Sequence, residues 1–414
     1  HQLLGLLQRR RSPGGVREEE LLPVCVESEM LVIDVARMPA GRVDVASVGD
    51  RRTGEVEREP LRLDECRRRV RVEAAAEQDD RAFRGIRHHS RCLFANAAYT
   101  PRAEPGNAYA GAKAPKVDRV EWITIADQQT QVNALLNGEI DLIEFVPADL
   151  MPLLQKDKNI KTFVTNLAGR QFAMRFNVLH KPFDNPKIRQ AVLYALDQKP
   201  FLDANVGDPN YYRECRSLFP CGSPLESTKG WEDKVKGNVA RAKELLKEAG
   251  YDGTAVVLMH QTDTANHNQL ATVAKPQLEA AGFKVDLQAM DWQTLVSRRT
   301  KKDPPDKGGW SAFFTSWGSP DVLTPVFAAF LNASCDKATF GWPCDETLEK
   351  LRDAFAKETD PAKQKAIAEQ VQLRVIDYPT HAILGQFTQA TGFRANISGL
   401  LHSPSLALWN IEKK

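Results

Sequence analysis

Residues 171–197 read QFAMRFNVLHKPFDNPKIRQAVLYALD, a strand pattern that breaks and re-forms as a helix. Phe172, Met174 and Phe176 alternate with Ala173 and Arg175, the period of a strand with one buried face. Asn177 to Phe183 interrupts the pattern, and Pro182 biases the residue before it away from helix. Asn185 then stands as an N-cap with Pro186 at the first helical position, where its missing N–H costs nothing. Ile188, Ala191, Val192 and Ala195 follow at i, i+3, i+4 and i+7, one apolar stripe facing a core. A strand leaving one sheet, a short extended segment and a helix start are what a chain shows as it passes between two lobes. The stretch therefore reads as the hinge of a two-lobed α/β protein.

The chain has 414 residues, more than one hydrophobic core normally organises. Its net charge of +2 lacks the concentrated basic surface of a nucleic-acid binder. No apolar run reaches the roughly 20 residues of a membrane span. The opening HQLLGLLQRRR places apolar residues before basic ones, the reverse of a secretory signal. Residues 1–92 carry 18 Arg and no Lys, whereas the remainder holds 25 Lys. Phe83 is the sole aromatic residue before Phe94, and a folded domain of that length normally recruits several aromatic anchors. The segment reads as a charged extension, a divergent domain or, preferred here, an out-of-frame translation; it is left unassigned.

From residue 93 onward, strand and helix patterns alternate. Val117 to Ile125 is a strand, Asp127 to Asn137 a helix closed by Gly138, and Ile140 to Phe145 the next strand, a βαβ-like unit. Asn238 caps a helix ended by Gly250, Asp291 caps another, and Asp345 and Asp360-Pro361 open two more. Phe283, Val285, Leu287 and Ala289 alternate as a strand. Ser311 to Ser316 is an aromatic-rich strand, and Ala382 to Phe387 reads as a strand returning to the first lobe.

No G-x-S-x-G, P-loop, G-x-G-x-x-G or H-E-x-x-H motif is present, so no nucleophile, phosphate loop or metal set argues for an enzyme. Cys215 with Cys221, and Cys335 with Cys344, form two close pairs in turn-rich segments. Two disulfides, four reduced thiols or a four-cysteine zinc site are the alternatives, the disulfides being preferred because neither pair has zinc-knuckle spacing. One stretch is shaped for a ligand: GGWSAFFTSWGSPDVLTP at 308–325. It delivers Trp317 into a Gly-Ser-Pro loop with Asp321 beyond, pairing flat apolar area with a carboxylate that can hold an ammonium. The bland alternative makes Trp310 and Trp317 core residues and Asp321 a helix cap.

KVDRVEWI at 116–123, ALLNGEIDLIE at 134–144, FNVLHKPFDNPKIRQAVLYALD at 176–197, AKELLKEAGYDG at 242–253 and FFTSWGSPD at 313–321 together resemble the extracytoplasmic solute-binding proteins of family 5. These are the dipeptide-, oligopeptide- and nickel-binding components of ABC importers. ECRSLFPCGSPLES and SCDKATFGWPCDE resemble the disulfide-bearing loops of periplasmic members, which implies Cys215–Cys221 and Cys335–Cys344 bonds. The resemblance implies an α/β periplasmic-binding-protein fold whose first lobe is discontinuous: residues 93–178 continued by 388–414, with 179–387 as the second lobe. Gln171–Phe183 and Ile383–Thr391 are then the crossings. The family carries a longer stretch ahead of its KVDRVEWI counterpart, so the N-terminal part of the first lobe is expected to be aberrant or missing. The implied protein is a periplasmic, monomeric, non-enzymatic binder without cofactor or metal. It would take a small peptide or peptide-like solute and pass it to an inner-membrane permease. Trp317 and Asp321 are its expected ligand contacts, with Trp310 and Asn177 beside them. A secreted hydrolase, or a truncated or mis-framed product that binds nothing, are the alternatives.

Overall fold

The computed structural model describes residues 32–36, 90–94, 100–107, 110–125, 127–264 and 267–414. Most of the unassigned segment 1–92 lies outside these residues. Two short strands, Val32–Ala36 (β1) and Ser90–Phe94 (β2), reach into it. The chain continues through Arg119–Ile123 (β3), helix Gln128–Asn137 (α1), Leu142–Val146 (β4), the short helix Met151–Gln155 (α2) and Ile160–Phe163 (β5). The α1 boundaries follow from chemistry already visible in sequence. Asp127 Oδ1 accepts the Thr130 N–H at 2.7 Å, and Gly138 closes the helix at φ 81°, the left-handed geometry that favours glycine.

Strand Arg170–Phe176 (β6) follows, then helices Pro186–Ala195 (α3) and Gln198–Asn205 (α4) and the two-residue strand Tyr212–Arg213 (β7). Val239–Glu248 (α5), Val256–Gln261 (β8), Leu270–Ala280 (α6), Val285–Met290 (β9) and Trp292–Arg298 (α7) repeat the alternation. Ala312–Gly318 (β10), Glu346–Lys357 (α8), Pro361–Asp377 (α9), His381–Phe387 (β11) and Ala390–Arg394 (β12) complete the main elements. The expected caps are in place at Asn185, Asn238, Asp291, Asp345 and Asp360, each side chain accepting a backbone N–H of the first turn.

Two six-stranded sheets result, ordered β2-β3-β1-β4-β12-β5 and β7-β11-β6-β10-β8-β9. The first is antiparallel throughout. In the second, β6 lies antiparallel between β10 and β11, while β8 runs parallel to β9 and β10. Each sheet has its own core. Val132, Leu135, Ile143 and Leu154 pack α1 and α2 on the first. Phe172, Met174 and Phe176 bury the helix-bearing face of the second with Phe183, Val192 and Leu245.

This arrangement corrects three expectations. Strand β6 is buried on both faces, because Ala173 joins Met259, Trp310, Phe313 and Phe330 in a further cluster on its other side. Residues 171–183 are therefore not the crossing: β6 is a central strand of the second sheet, and α3 beyond it packs against α5 and α9 of the same lobe. The chain instead changes sheets at 164–169, between β5 and β6, and again at 388–389, between β11 and β12. Strand β11 likewise stays in the second sheet, and the return to the first is made by β12.

The crossings are pinned. Gly169 donates its N–H to Asn166 Oδ1 at 3.0 Å, Ser319 Oγ donates to Ala168 O at 2.6 Å, and Gln386 Nε2 donates to the same carbonyl at 3.0 Å. Gly169 sits at φ 73°, where a Cβ would stand 2.4 Å from Phe387 O. Only glycine lets the two crossings approach so closely.

Both cysteine pairs are bonded, Cys215 to Cys221 and Cys335 to Cys344, which removes the zinc and free-thiol alternatives. The first loop is also docked by two glutamines. Gln198 Oε1 accepts from Cys215 N at 2.8 Å, and Gln386 Oε1 accepts from Cys221 N at 2.8 Å. On the chain-entropy model a loop this short contributes about 2–3 kcal/mol. The double variant C215S/C221S is thus expected to lose about that much in a urea titration, and reductant should then shift its midpoint less than it shifts the parent's. Equal shifts in both would show that the bond carries no stability.

Candidate functional site

The two crossings meet the ends of β6, β10 and β11, and the chemistry-bearing side chains gather there. In register, Trp317 of β10 lies opposite Gln171 of β6, and Ser316 opposite Phe172. Alternation therefore divides the site between two faces of one sheet end.

On one face stands a charged group. Arg170 opens β6 and donates from Nε to Ser316 Oγ at 3.1 Å and from Nη2 to Ser316 O at 3.3 Å. His267 Nε2 pairs with the same hydroxyl at 2.9 Å, and its ring lies edge-on to Phe172 and stacked on Trp292. Burial, reinforced by the Arg170 charge, holds the His267 imidazole down at about 3, so it is neutral. Two carboxylates face this guanidinium from different lobes. Glu144 comes from β4 of the first sheet, and burial pushes its carboxyl up to about 7 against the pull of Arg170. Asp321 comes from the turn Ser319–Val322 after β10, and burial raises its carboxyl too, again opposed by Arg170.

On the other face, Trp317 borders a cavity of about 10 Å³, room for a single water. Gln171 forms its floor, Leu218 and Phe219 from the Cys215–Cys221 loop one wall, and Phe330 and Leu331 another. Gln171 Nε2 and Trp317 Nε1 are buried without a hydrogen-bond partner among the described residues. A buried donor left unpaired costs about 1–3 kcal/mol, and one water in this cavity can accept from them.

The four ligand-site residues expected from sequence separate here. Trp317 and Asp321 stand at the junction of the lobes. Trp310 does not: it is 0% exposed and packs edge-on to Phe313 at 5.2 Å and against Trp342 at 6.1 Å. Asn177 is 1% exposed and spent on the backbone, its Nδ2 donating to Trp310 O at 2.9 Å and its Oδ1 accepting from Leu179 N at 3.1 Å. Trp310 and Asn177 are framework residues behind the site rather than contacts in it. Glu144, Arg170 and His267 were missed. Arg170 offered a weak signal, a charge at the start of a strand that also carries Arg175; Glu144 ended a quoted motif yet resembled any solvated acid. Among the described residues no three or more His, Cys, Asp or Glu side chains gather in a metal-holding group, and no helix is long and apolar enough to cross a membrane.

A model of the bacterial extracellular solute-binding proteins, family 5 middle region, matches residues 95–339. The chain is 36% identical over 322 residues to a probable peptide ABC transporter periplasmic-binding protein of Sinorhizobium fredii, covering 77% of this chain and 60% of that protein. It is 32% identical over 226 residues to the glutathione-binding protein of Escherichia coli K12, covering 52% of this chain and 42% of that one. The chain thus spans less than two thirds of these relatives' length. Among solved structures, it superposes on the dipeptide binding protein of Pseudoalteromonas sp. SM9913 in complex with Met-Leu with a TM-score of 0.61 at 19% identity, over 79% of this chain and 62% of that one. The binding protein AgaA from A. tumefaciens R10, in complex with agropinic acid, gives a TM-score of 0.64 at 21% identity, over 74% and 62%. At such identities the likeness is one of fold, and both folds are two-lobed binding proteins.

Proposed function

Because the chain belongs to the bacterial extracellular solute-binding proteins of family 5, we propose that it captures a peptide or peptide-like solute between its lobes and delivers it to an ABC permease. The family is one of binding proteins, not enzymes. The periplasm is the compartment of this reading, consistent with two disulfides in one chain, and the working unit is a monomer.

The observation that carries the reading is the loop Trp317–Asp321 at the lobe junction, with Arg170 beside it. Asp321 supplies a carboxylate for a ligand ammonium, and Trp317 a flat apolar wall with a free indole donor. A solute touching both lobes favours the closed arrangement by its differential affinity for that state. The relatives named above are called peptide- and glutathione-binding proteins, and both kinds of ligand carry a primary ammonium and amide groups.

Asp321→Ala and Trp317→Ala test it. A charged hydrogen bond of about 1.5–3 kcal/mol corresponds to roughly 10- to 100-fold in affinity. Asp321→Ala is expected to lose that much for a free-amine peptide in titration calorimetry, and Trp317→Ala somewhat less. Unchanged affinity in both variants would remove the site from this loop.

A further inference from the structure

We propose that Gln386 is a positioning residue that couples the lobe crossing to the ligand cavity: it ties Ala168 to the Cys215–Cys221 loop, so that rotation of the lobes and the cavity wall facing Trp317 move together. The inference rests on the function proposed above and names the side chain through which lobe closure acts on the site.

Three observations carry it. The first is reach. Gln386 is 2% exposed, and its amide makes three hydrogen bonds to two segments remote in sequence. Oε1 accepts from Cys221 N at 2.8 Å, while Nε2 donates to Cys221 O at 3.1 Å and to Ala168 O at 3.0 Å. Ala168 belongs to the outgoing crossing, and the loop that ends at Cys221 carries Leu218 and Phe219, which line the cavity. One buried amide thus joins a hinge to a wall of the site.

The second observation is aim. Strand β11 pairs Ile383 with Ala173 and then Gln386 with Gln171, so it holds one residue more than β6 over the same span. In unbroken register position 385 would oppose Gln171, and Gln386 would turn to the face of Ala382 and Leu384. The bulge instead brings Gln386 to the face of Gln171, the cavity side, which is what such an extra residue does to a side chain. Gly385 makes this possible. It sits at φ 114°, and a Cβ there would stand 2.7 Å from the Leu202 side chain, so glycine alone fits.

The third observation is convergence. Ala168 O takes a second donor, Ser319 Oγ at 2.6 Å, and Ser319 N donates to Gly169 O at 2.9 Å. Ser319 opens the turn whose Val322 also lines the cavity, two residues after Trp317. Both walls therefore hang on the same two crossing residues, by Gln386 on one side and Ser319 on the other. Buried polar groups keep their partners, so a rotation at the crossing carries both walls with it. Gln198 supplies an internal comparison. It is 1% exposed and clasps the other end of the same loop, accepting from Cys215 N at 2.8 Å and donating to Cys215 O at 3.1 Å and Ile383 O at 3.2 Å. Its three bonds all stay within the second lobe.

The test compares Gln386→Met with Gln198→Met in the full chain. Hydrogen–deuterium exchange is read without ligand, and native mass spectrometry reads binding of an equimolar pool of free-amine tripeptides. Exchange in the loop 215–221 should rise in both variants. Across 164–169 it should rise about tenfold in Gln386→Met and stay within about twofold of the parent in Gln198→Met. Affinity for the pool should fall about tenfold in Gln386→Met and less in Gln198→Met. Gln386→Glu, which keeps the acceptor for Cys221 N and drops the donor to Ala168 O, is the second variant; it should free the crossing while leaving the loop nearer the parent. Equal exchange across 164–169 in Gln386→Met and Gln198→Met, or parental exchange there in both Gln386 variants, would reduce Gln386 to a loop-docking residue and overturn the inference. A parent that takes up no tripeptide overturns the proposed function instead, and the ligand-free exchange comparison still decides the coupling.

Discussion

Arg175→Met is expected to cost on the order of 5 kcal/mol in unfolding free energy, close to the whole stability of many domains. Arg175 sits in the middle of β6, 0% exposed. Its Nε donates to Phe340 O at 2.9 Å, and its Nη1 donates to Phe330 O at 2.8 Å and to Thr380 O at 3.0 Å. The guanidinium also lies over the Phe330 ring at 4.4 Å. Among the described residues no carboxylate pairs with it. Burial pushes the group down to about 9, with Arg189 adding repulsion. Such a charge persists because three buried carbonyls depend on it. Methionine fills the volume but leaves all three without a donor, at about 1–3 kcal/mol each. Those carbonyls belong to the cavity wall at Phe330, the loop of the Cys335–Cys344 bond and the segment entering β11, so binding should fail along with stability. Urea unfolding checks this, and a loss below about 1.5 kcal/mol would mean that the carbonyls find other donors. Arg175→Lys, retaining a charge and three donors, should fall between.

The second large effect is acid lability. His267 and His381 are both held neutral at about 3, each by burial first and then by a neighbouring arginine, Arg170 and Arg175 respectively. Their folded values lie below the ordinary 6.5, so the unfolded chain binds protons that the folded one refuses. The stability they allow is complete above pH 6.5 and is lost as pH falls from there toward 3. At 1.36 kcal/mol per unit for each group, the pair should remove several kcal/mol by pH 4.5. Glu144 and Asp321, with raised carboxyls, act the opposite way over the acid range and offset part of the loss. Melting curves from pH 7.5 to 4.5 should fall for the parent, and H267Q/H381N, whose amides keep one hydrogen bond each to Ser316 and Thr380, should fall less or rise. Parallel curves would place the acid sensitivity in other groups.

Local chemistry determined most of the elements. The caps at Asp127, Asn185, Asn238, Asp291, Asp345 and Asp360, the closing Gly138 and the alternation in β9 depend on residues within a few positions of one another, so they are legible without a tertiary partner. The paired cysteines were legible for the same reason. Which sheet a strand joins was not legible, because that depends on residues far away. Strand β6 shows one-faced alternation, yet Trp310 and Phe330 cover its second face from more than a hundred residues downstream. That cover makes β6 a central strand and moves the crossing to 164–169. The same long-range packing decided between two plausible tryptophans: Trp310 is enclosed by Phe313 and Trp342, while Trp317 reaches the lobe junction. Glu144 and Arg170 come to interact only because the chain returns to the first sheet through β12. Their meaning lies in charges that face each other across a crossing, and no periodicity in the chain records that distance.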